Sequence, residues 1–179
     1  MNNIKVKVQD NFLPDDEFEE LSNNFKDPGF PWYINQVIND DYRHELLTDP
    51  IDNHQFCHHF YYPVSGGSPK VCQGINCLDP ILKRLDCISL ARIKANCLPR
   101  TSSIIRHGFH VDADLEGPIK DFKASIFYVN TNNGYTEFED GTRIESIANR
   151  IVTFPINLRH SGTTCTDQPF RMVINFNYF

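Results

Sequence analysis

The chain of 179 residues has no apolar run near the ~20 residues that a membrane-spanning helix requires. Residues 1–7 also lack the apolar segment of a signal peptide, so a soluble protein in the cytoplasm is expected. Basic blocks are missing too. Lys and Arg total 17 against 23 Asp and Glu, a net charge of −6, and the basic residues nowhere cluster. Neutralising a phosphate backbone takes clustered cations, so nucleic acid is not expected as a partner. No C-x-x-C occurs, and Cys72 and Cys77 are spaced loosely for half a zinc site. Cys57, Cys72, Cys77, Cys87, Cys97 and Cys165 are therefore expected as reduced thiols, mostly buried. Neither a Ser-His-Asp nor a Cys-His constellation stands out. Repeats and low-complexity linkers are absent, which predicts one domain over residues 1–179.

Aromatic residues are plentiful, with 14 Phe and 7 Tyr, enough to build a sizeable core. Ile4, Val6 and Val8 alternate with polar residues and predict an opening strand. Acids followed by Phe18, Leu21 and Phe25 at helical spacing predict a helix over 15–26. Residues 30–38 read as a strand, and 78–85 as a short helix with Pro80 in its first turn. Between them, His54, His58 and His59 sit among Phe56, Phe60, Tyr61 and Tyr62. A substrate-facing wall is one reading; a partly buried strand with surface histidines is the favoured one. From residue 89 the pattern becomes strand after strand: 90–96, 103–110, 123–130, 135–139, 143–147, 150–155, 160–165 and 170–179. Eight short strands separated by turn residues predict a mainly β protein with flanking helices, a jelly roll or double-stranded β-helix. Its core would be 88–179, supported by helices and strands of 1–87.

The chemistry concentrates in 107–179. His110 and Asp112 stand at i and i+2, so on an extended segment both point to one face. His160 arrives from a distant strand. Two imidazoles and a carboxylate are the set that holds non-haem Fe(II) on one face and leaves the opposite positions open. On the last strand Met172, Ile174, Phe176 and Tyr178 form one face, and Arg171, Val173, Asn175 and Asn177 the other. The apolar face is expected to meet the N-terminal helices, and the polar face to look inward. A buried arginine must be paired, and a dicarboxylate is its natural partner.

These residues carry a resemblance. H-V-D (110–112), A-S-I-F-Y-V-N (124–130), N-G-Y-T-E-F (133–138), R-I-V-T-F (150–154), H-S-G (160–162) and R-M-V-I-N-F (171–176) resemble the prolyl 4-hydroxylase-like branch of the Fe(II)/2-oxoglutarate dioxygenases. The likeness covers roughly 88–179 and is strongest to compact bacterial and viral versions, which for a viral member would mean the host cytoplasm. It implies Fe(II) on His110, Asp112 and His160, with Arg171 on the C5 carboxylate of 2-oxoglutarate. Tyr128 is implied as a second contact to that carboxylate. O2 would be the other cosubstrate, ascorbate is compatible with the chemistry, and succinate and CO2 would leave. The family's Gly-Gly is Gly134-Tyr135 here, and Arg92, Lys94 and Asn96 stand where several relatives carry a site tyrosine. Asn96 is a candidate for that cosubstrate contact. Position 177 is Asn rather than the second arginine typical of nucleic-acid dealkylases.

Two other classes stay open on the residues alone. A cupin-like metal enzyme without 2-oxoglutarate would keep the triad but have no need of Arg171, and a non-catalytic jelly-roll module would need neither. The substrate is not legible: a peptidyl proline, an amino acid and another small molecule all fit. Its rim is expected from 30–75 and 112–122. Oligomeric state is not legible either.

Overall fold

The computed structural model describes residues 6–35, 54–64, 66–112 and 122–179. Short runs of β-branched and aromatic residues between turn residues make strands its main element. The order is β1 (Lys7–Gln9), α1 (Asp15–Lys26), β2 (Tyr33–Asn35), β3 (Gln55–Tyr62), β4 (Lys70–Val71), a 3-10 turn (Ile75–Leu78) and α2 (Asp79–Arg84). There follow β5 (Leu90–Pro99), β6 (Lys123–Tyr128), β7 (Tyr135–Phe138), β8 (Arg143–Glu145), β9 (Arg150–Pro155), β10 (His160–Gly162) and β11 (Phe170–Tyr178). The large sheet runs β1-β9-β6-β11-β5-β3-β2, with β4 on β3, and the small sheet runs β10-β7-β8. All these pairings are antiparallel. Two facing antiparallel sheets with this crossing order are the expected double-stranded β-helix. Among the described residues no helix is long and apolar enough to cross a membrane.

The helix over 15–26 forms where expected. Asp15, Asp16 and Glu17 lie in its first turn, where carboxylates favour the positive end of the helix dipole. It stops because Asp27 precedes Pro28 and takes an extended backbone. Its buried Leu21 and Phe25 meet Phe60, Met172, Ile174, Phe176 and Tyr178 on the outer face of the large sheet. The approach to α1 is tied down by Asn149, which sits at φ 61, a left-handed conformation that asparagine tolerates. Its side chain accepts from the Leu13 N–H at 2.9 Å and donates to the Leu13 carbonyl at 2.8 Å.

A second cluster fills the space between the sheets: Ala124, Ile126, Tyr128, Phe138, Ile144, Val152, Phe154, Ile156 and Val173. Strand alternation explains the division. In β6, Ala124, Ile126 and Tyr128 face inward, while Phe127 faces the helices. In β11 the split falls as expected, with the apolar face toward α1 and the polar face inward.

Four expectations need correction. Residues 103–110 form no strand; they run beside β10 with two isolated bridges, Arg106 to Thr163 and His110 to His160. The register slips by one residue between these bridges, and there the Ser161 hydroxyl donates to the His107 carbonyl. The opening strand is an edge strand with all three of its residues exposed. Ile4 lies outside the described residues. The strand over 30–38 is reduced to Tyr33–Asn35, and 36–38 lie outside the described residues, as do 39–53, Ser65 and 113–121 of the expected rim. Finally, His58 is no surface residue. It is 4 % exposed, packed on Phe30 and Phe60, with ring nitrogens 2.9 Å from the Pro31 carbonyl and 3.0 Å from Cys72 Sγ. His59 does face solvent.

Candidate metal centre

His110 and His160 face each other across the irregular pairing. Each donates its backbone N–H to the other's carbonyl, at 2.9 and 3.0 Å. Their rings lie 4.7 Å apart. The Nδ1 of His110 is 3.1 Å from the Gly108 carbonyl, and the Nδ1 of His160 is 3.1 Å from the Leu158 carbonyl. A carbonyl only accepts, so both Nδ1 atoms carry a proton, and in a neutral imidazole that leaves the Nε2 lone pair for a metal. Those Nε2 atoms lie 3.9 and 4.0 Å from Asp112 Oδ1. Among the described residues, this trio is the one group of His, Cys, Asp or Glu whose ligand atoms converge, all within 4.8 Å. Two imidazoles and a carboxylate around one point form a donor set for a divalent transition metal, with each imidazole oriented by its outer hydrogen bond.

Asp112 is held from behind. Arg92 Nη2 donates to Oδ1 at 2.9 Å, Asn177 Nδ2 donates to Oδ2 at 2.9 Å, and Arg92 Nε donates to Asn177 Oδ1 at 2.9 Å. Arg92 and Asn177 are register partners on β5 and β11, which closes the triangle. Burial is the largest single influence on the Asp112 carboxyl and pushes its pKa up. The charge of Arg92, the imidazoles and the Asn177 hydrogen bond together outweigh it and hold the group below the usual carboxylate range. Burial pulls the His160 pKa down, against the opposing pull of Asp112. Both effects favour the forms that bind metal.

A pocket opens between the sheets from the triad to Arg171. Arg171 is 2 % exposed, and its partners are neutral. Nε donates to Ser146 Oγ at 2.9 Å, Nη2 donates to Thr136 Oγ1 at 3.2 Å, and the guanidinium lies 5.7 Å over the Tyr128 ring. Among the described residues no carboxylate pairs with it. Burial lowers its pKa, opposed by Tyr128 and Cys165. Thr136 Oγ1 also accepts from the Tyr128 hydroxyl at 2.8 Å, so its own proton is left for a further acceptor. Gly134 makes room for this arrangement. A Cβ there would stand 2.7 Å from Arg171 Cδ and 2.6 Å from the Thr164 carbonyl oxygen.

His110, Asp112 and His160 thus converge, and Arg171 and Asn96 line the same pocket. Tyr128 is fully buried beneath it, its hydroxyl directed to Thr136. Asn175, expected on the inward face of the last strand, lines the pocket too, and so do three residues that sequence reasoning did not single out: His107, Thr136 and Gln55. His107 Nε2 is buried without a partner. Burial first, then the nearby charges of Arg171 and His110, push the His107 pKa down to about 4. His107 lies three residues before His110, and that spacing was its only signal in the sequence.

No protein-family model matches the sequence, and no curated protein matches it. Solved structures do match. A Trichoplax adhaerens prolyl hydroxylase, solved with a hypoxia-inducible-factor peptide, is 17 % identical with a TM-score of 0.59, covering 99 % of this chain and 84 % of that one. The viral collagen prolyl hydroxylase of Paramecium bursaria Chlorella virus-1, solved with 2-oxoglutarate, is 15 % identical with a TM-score of 0.58, covering 99 % and 97 %. SnoK, a non-haem alpha-ketoglutarate-dependent carbocyclase from nogalamycin biosynthesis, is 10 % identical with a TM-score of 0.65, covering 98 % and 79 %. The chain has the fold of the 2-oxoglutarate/Fe(II) oxygenases. The first two of these proteins are prolyl hydroxylases and the third is a carbocyclase, so the fold serves more than one reaction.

Proposed function

We propose that this chain is an Fe(II)- and 2-oxoglutarate-dependent dioxygenase that hydroxylates a peptide or small molecule. One observation carries the reading: a buried arginine with only neutral partners stands at the far end of a pocket that begins at a His-Asp-His trio. A buried cation without a counter-ion is costly, and a dicarboxylate chelating the metal at its other end would supply the missing charge. The residues fit both groups. His110, Asp112 and His160 would hold the metal; Arg171 and the free proton of Thr136 would receive the C5 carboxylate. His107 and Asn96 would flank the carbon chain, and Tyr128 would support Arg171 and Thr136 from below.

When bound, iron and 2-oxoglutarate supply the oxidising power, with O2 consumed and succinate and CO2 released. The protein orients the three ligands and buries the cosubstrate away from water. His110, a third exposed at its side chain, marks the side from which a substrate reaches the centre. The identity of the Trichoplax and viral neighbours favours prolyl hydroxylation as an analogy of fold only.

The test is anaerobic. Fe(II) and then 2-oxoglutarate are added, and the visible charge-transfer band of the chelate is followed in wild type, His160→Ala and Arg171→Ala. The expected outcome is a band in wild type, none in His160→Ala, and a much higher cosubstrate requirement in Arg171→Ala. Iron bound without a band would point to a metal enzyme that does not use 2-oxoglutarate. Folded protein that binds no iron would sink the proposal.

A further inference from the structure

We infer that the substrate is a small molecule bearing a free carboxylate, received by Lys94 beside the triad; the inference rests on the oxygenase reading above. β5 alternates, with Ile93, Ala95 and Cys97 in the helix-side core and Arg92, Lys94, Asn96 and Leu98 lining the pocket. Register places Leu98 opposite Arg171, Asn96 opposite Val173, Lys94 opposite Asn175, and Arg92 opposite Asn177. The pocket therefore has two ends. Arg171 marks one, and Lys94 lies toward the other, next to the residues that brace Asp112.

Lys94 is partly buried and makes no hydrogen bond or ion pair among the described residues. Burial pulls its pKa down and Arg92 adds to this, against the opposing pull of Cys57 and Asp112. Its surroundings are also unsatisfied. The Oδ1 atoms of Asn96 and Asn175 are buried without a partner. Each such atom costs on the order of 1–3 kcal/mol unless something reaches it. Lys94 and the Asn175 oxygen across the ladder match a molecule offering a carboxylate and a hydrogen-bond donor, while Asn96, one pocket-facing position nearer Arg171, is left to the cosubstrate. A free amino acid has both. A residue inside a peptide has a neutral amide where the free amino acid has its α-carboxylate.

Charge points the same way. Among the described lining residues Arg92, Lys94 and Arg171 face one acid, Asp112. A divalent metal and a dicarboxylate cosubstrate cancel each other and leave that excess in place. With the C5 carboxylate on Arg171 and the C1 carboxylate on the metal, the cosubstrate's charges are already engaged. Lys94 is then the cation still without an anion.

The experiment uses the Fe(II)- and 2-oxoglutarate-loaded protein under anaerobic conditions. The free L-amino acids and the corresponding amino acid amides are titrated while the charge-transfer band is followed. At least one free acid is expected to perturb the band saturably, with its amide requiring about tenfold more. Lys94→Met should erase that preference, Lys94→Arg should keep it, and the 2-oxoglutarate titration should stay within about twofold in both. Four results would overturn the inference. These are an amide binding as well as its acid, Lys94→Met still preferring the acid, no acid perturbing the band, or Lys94→Met weakening 2-oxoglutarate itself tenfold. A wild-type protein with no band at all would instead remove the oxygenase reading beneath it.

Discussion

The β5–β11 pair carries an arginine at each end of one pocket, and the two are satisfied in opposite ways. Arg92 is bonded to Asp112 and to Asn177, so its charge is matched within the fold. Arg171 is deeper, yet meets only hydroxyls and an aromatic ring. A buried cation with its own carboxylate braces a structure, whereas one lacking it holds a place for an anion from outside. Burial differs too, the Arg92 side chain being 29 % exposed against 2 % for Arg171, but depth does not assign the roles. Their partners do.

The sharpest way to break this comparison is Arg171→Met. It should weaken 2-oxoglutarate binding about 100-fold, because a paired charge-assisted contact is lost. The ligand-free variant should nevertheless melt at or above the wild-type temperature, since an uncompensated buried charge has been removed. A clear drop in its Tm would mean that Arg171 is structural after all. His107, at the same end, offers a pH test. Its pKa is about 4 in the fold against an ordinary 6.5, so the unfolded chain takes up a proton that the fold refuses. Stability is therefore expected to fall as pH drops from 6.5 toward 4, by about 2 kcal/mol at pH 5 from this group. Urea unfolding of metal-free protein at pH 7 and pH 5 would measure it, and His107→Gln should lose less on acidification than wild type.

At the other end, Arg92→Met should reduce Fe(II) affinity about tenfold, a typical effect of freeing a metal ligand from its outer support. Unlike Arg171→Met it should also destabilise the ligand-free protein, because Asp112 remains buried. Equal behaviour of the two arginine variants in thermal melts would dissolve the distinction drawn here. The smallest effect is expected of Asn177→Ala, about 1 kcal/mol of stability for the lost hydrogen bonds, with Fe(II) affinity only a few-fold lower.

Much of this was legible in the sequence where local signals and burial agree. The acid-led helix over 15–26, the strand over 150–155 and the two faces of the last strand all rest on periodicity, which the tertiary structure had no reason to override. The H-x-D spacing and the distant His160 likewise pointed to one face. What was illegible depends on neighbours far along the chain. Residues 103–110 look like a strand, but the Ser161 hydroxyl, more than fifty residues away, takes one of their carbonyls. His58 reads as a surface histidine until Phe30 and Phe60 close over it. Arg92 stood out as a departure from the family pattern, yet its role needs the β5–β11 register and the return of Asp112 to the same end. His107 carried no motif, only a place three residues before a ligand.

The mutual backbone pairing of His110 and His160 has a consequence for how the centre is assembled. Bringing together two points some fifty residues apart along a flexible chain costs about 3.5 kcal/mol in loop-closure entropy, before any constant. Here that closure is made by folding, since the two histidines share a pair of backbone hydrogen bonds and their rings are already turned toward Asp112. An ion bound there would thus arrive as a guest in a furnished room. A chelator should take it away and leave the architecture standing, in contrast to small zinc domains, whose chains come apart when the metal leaves.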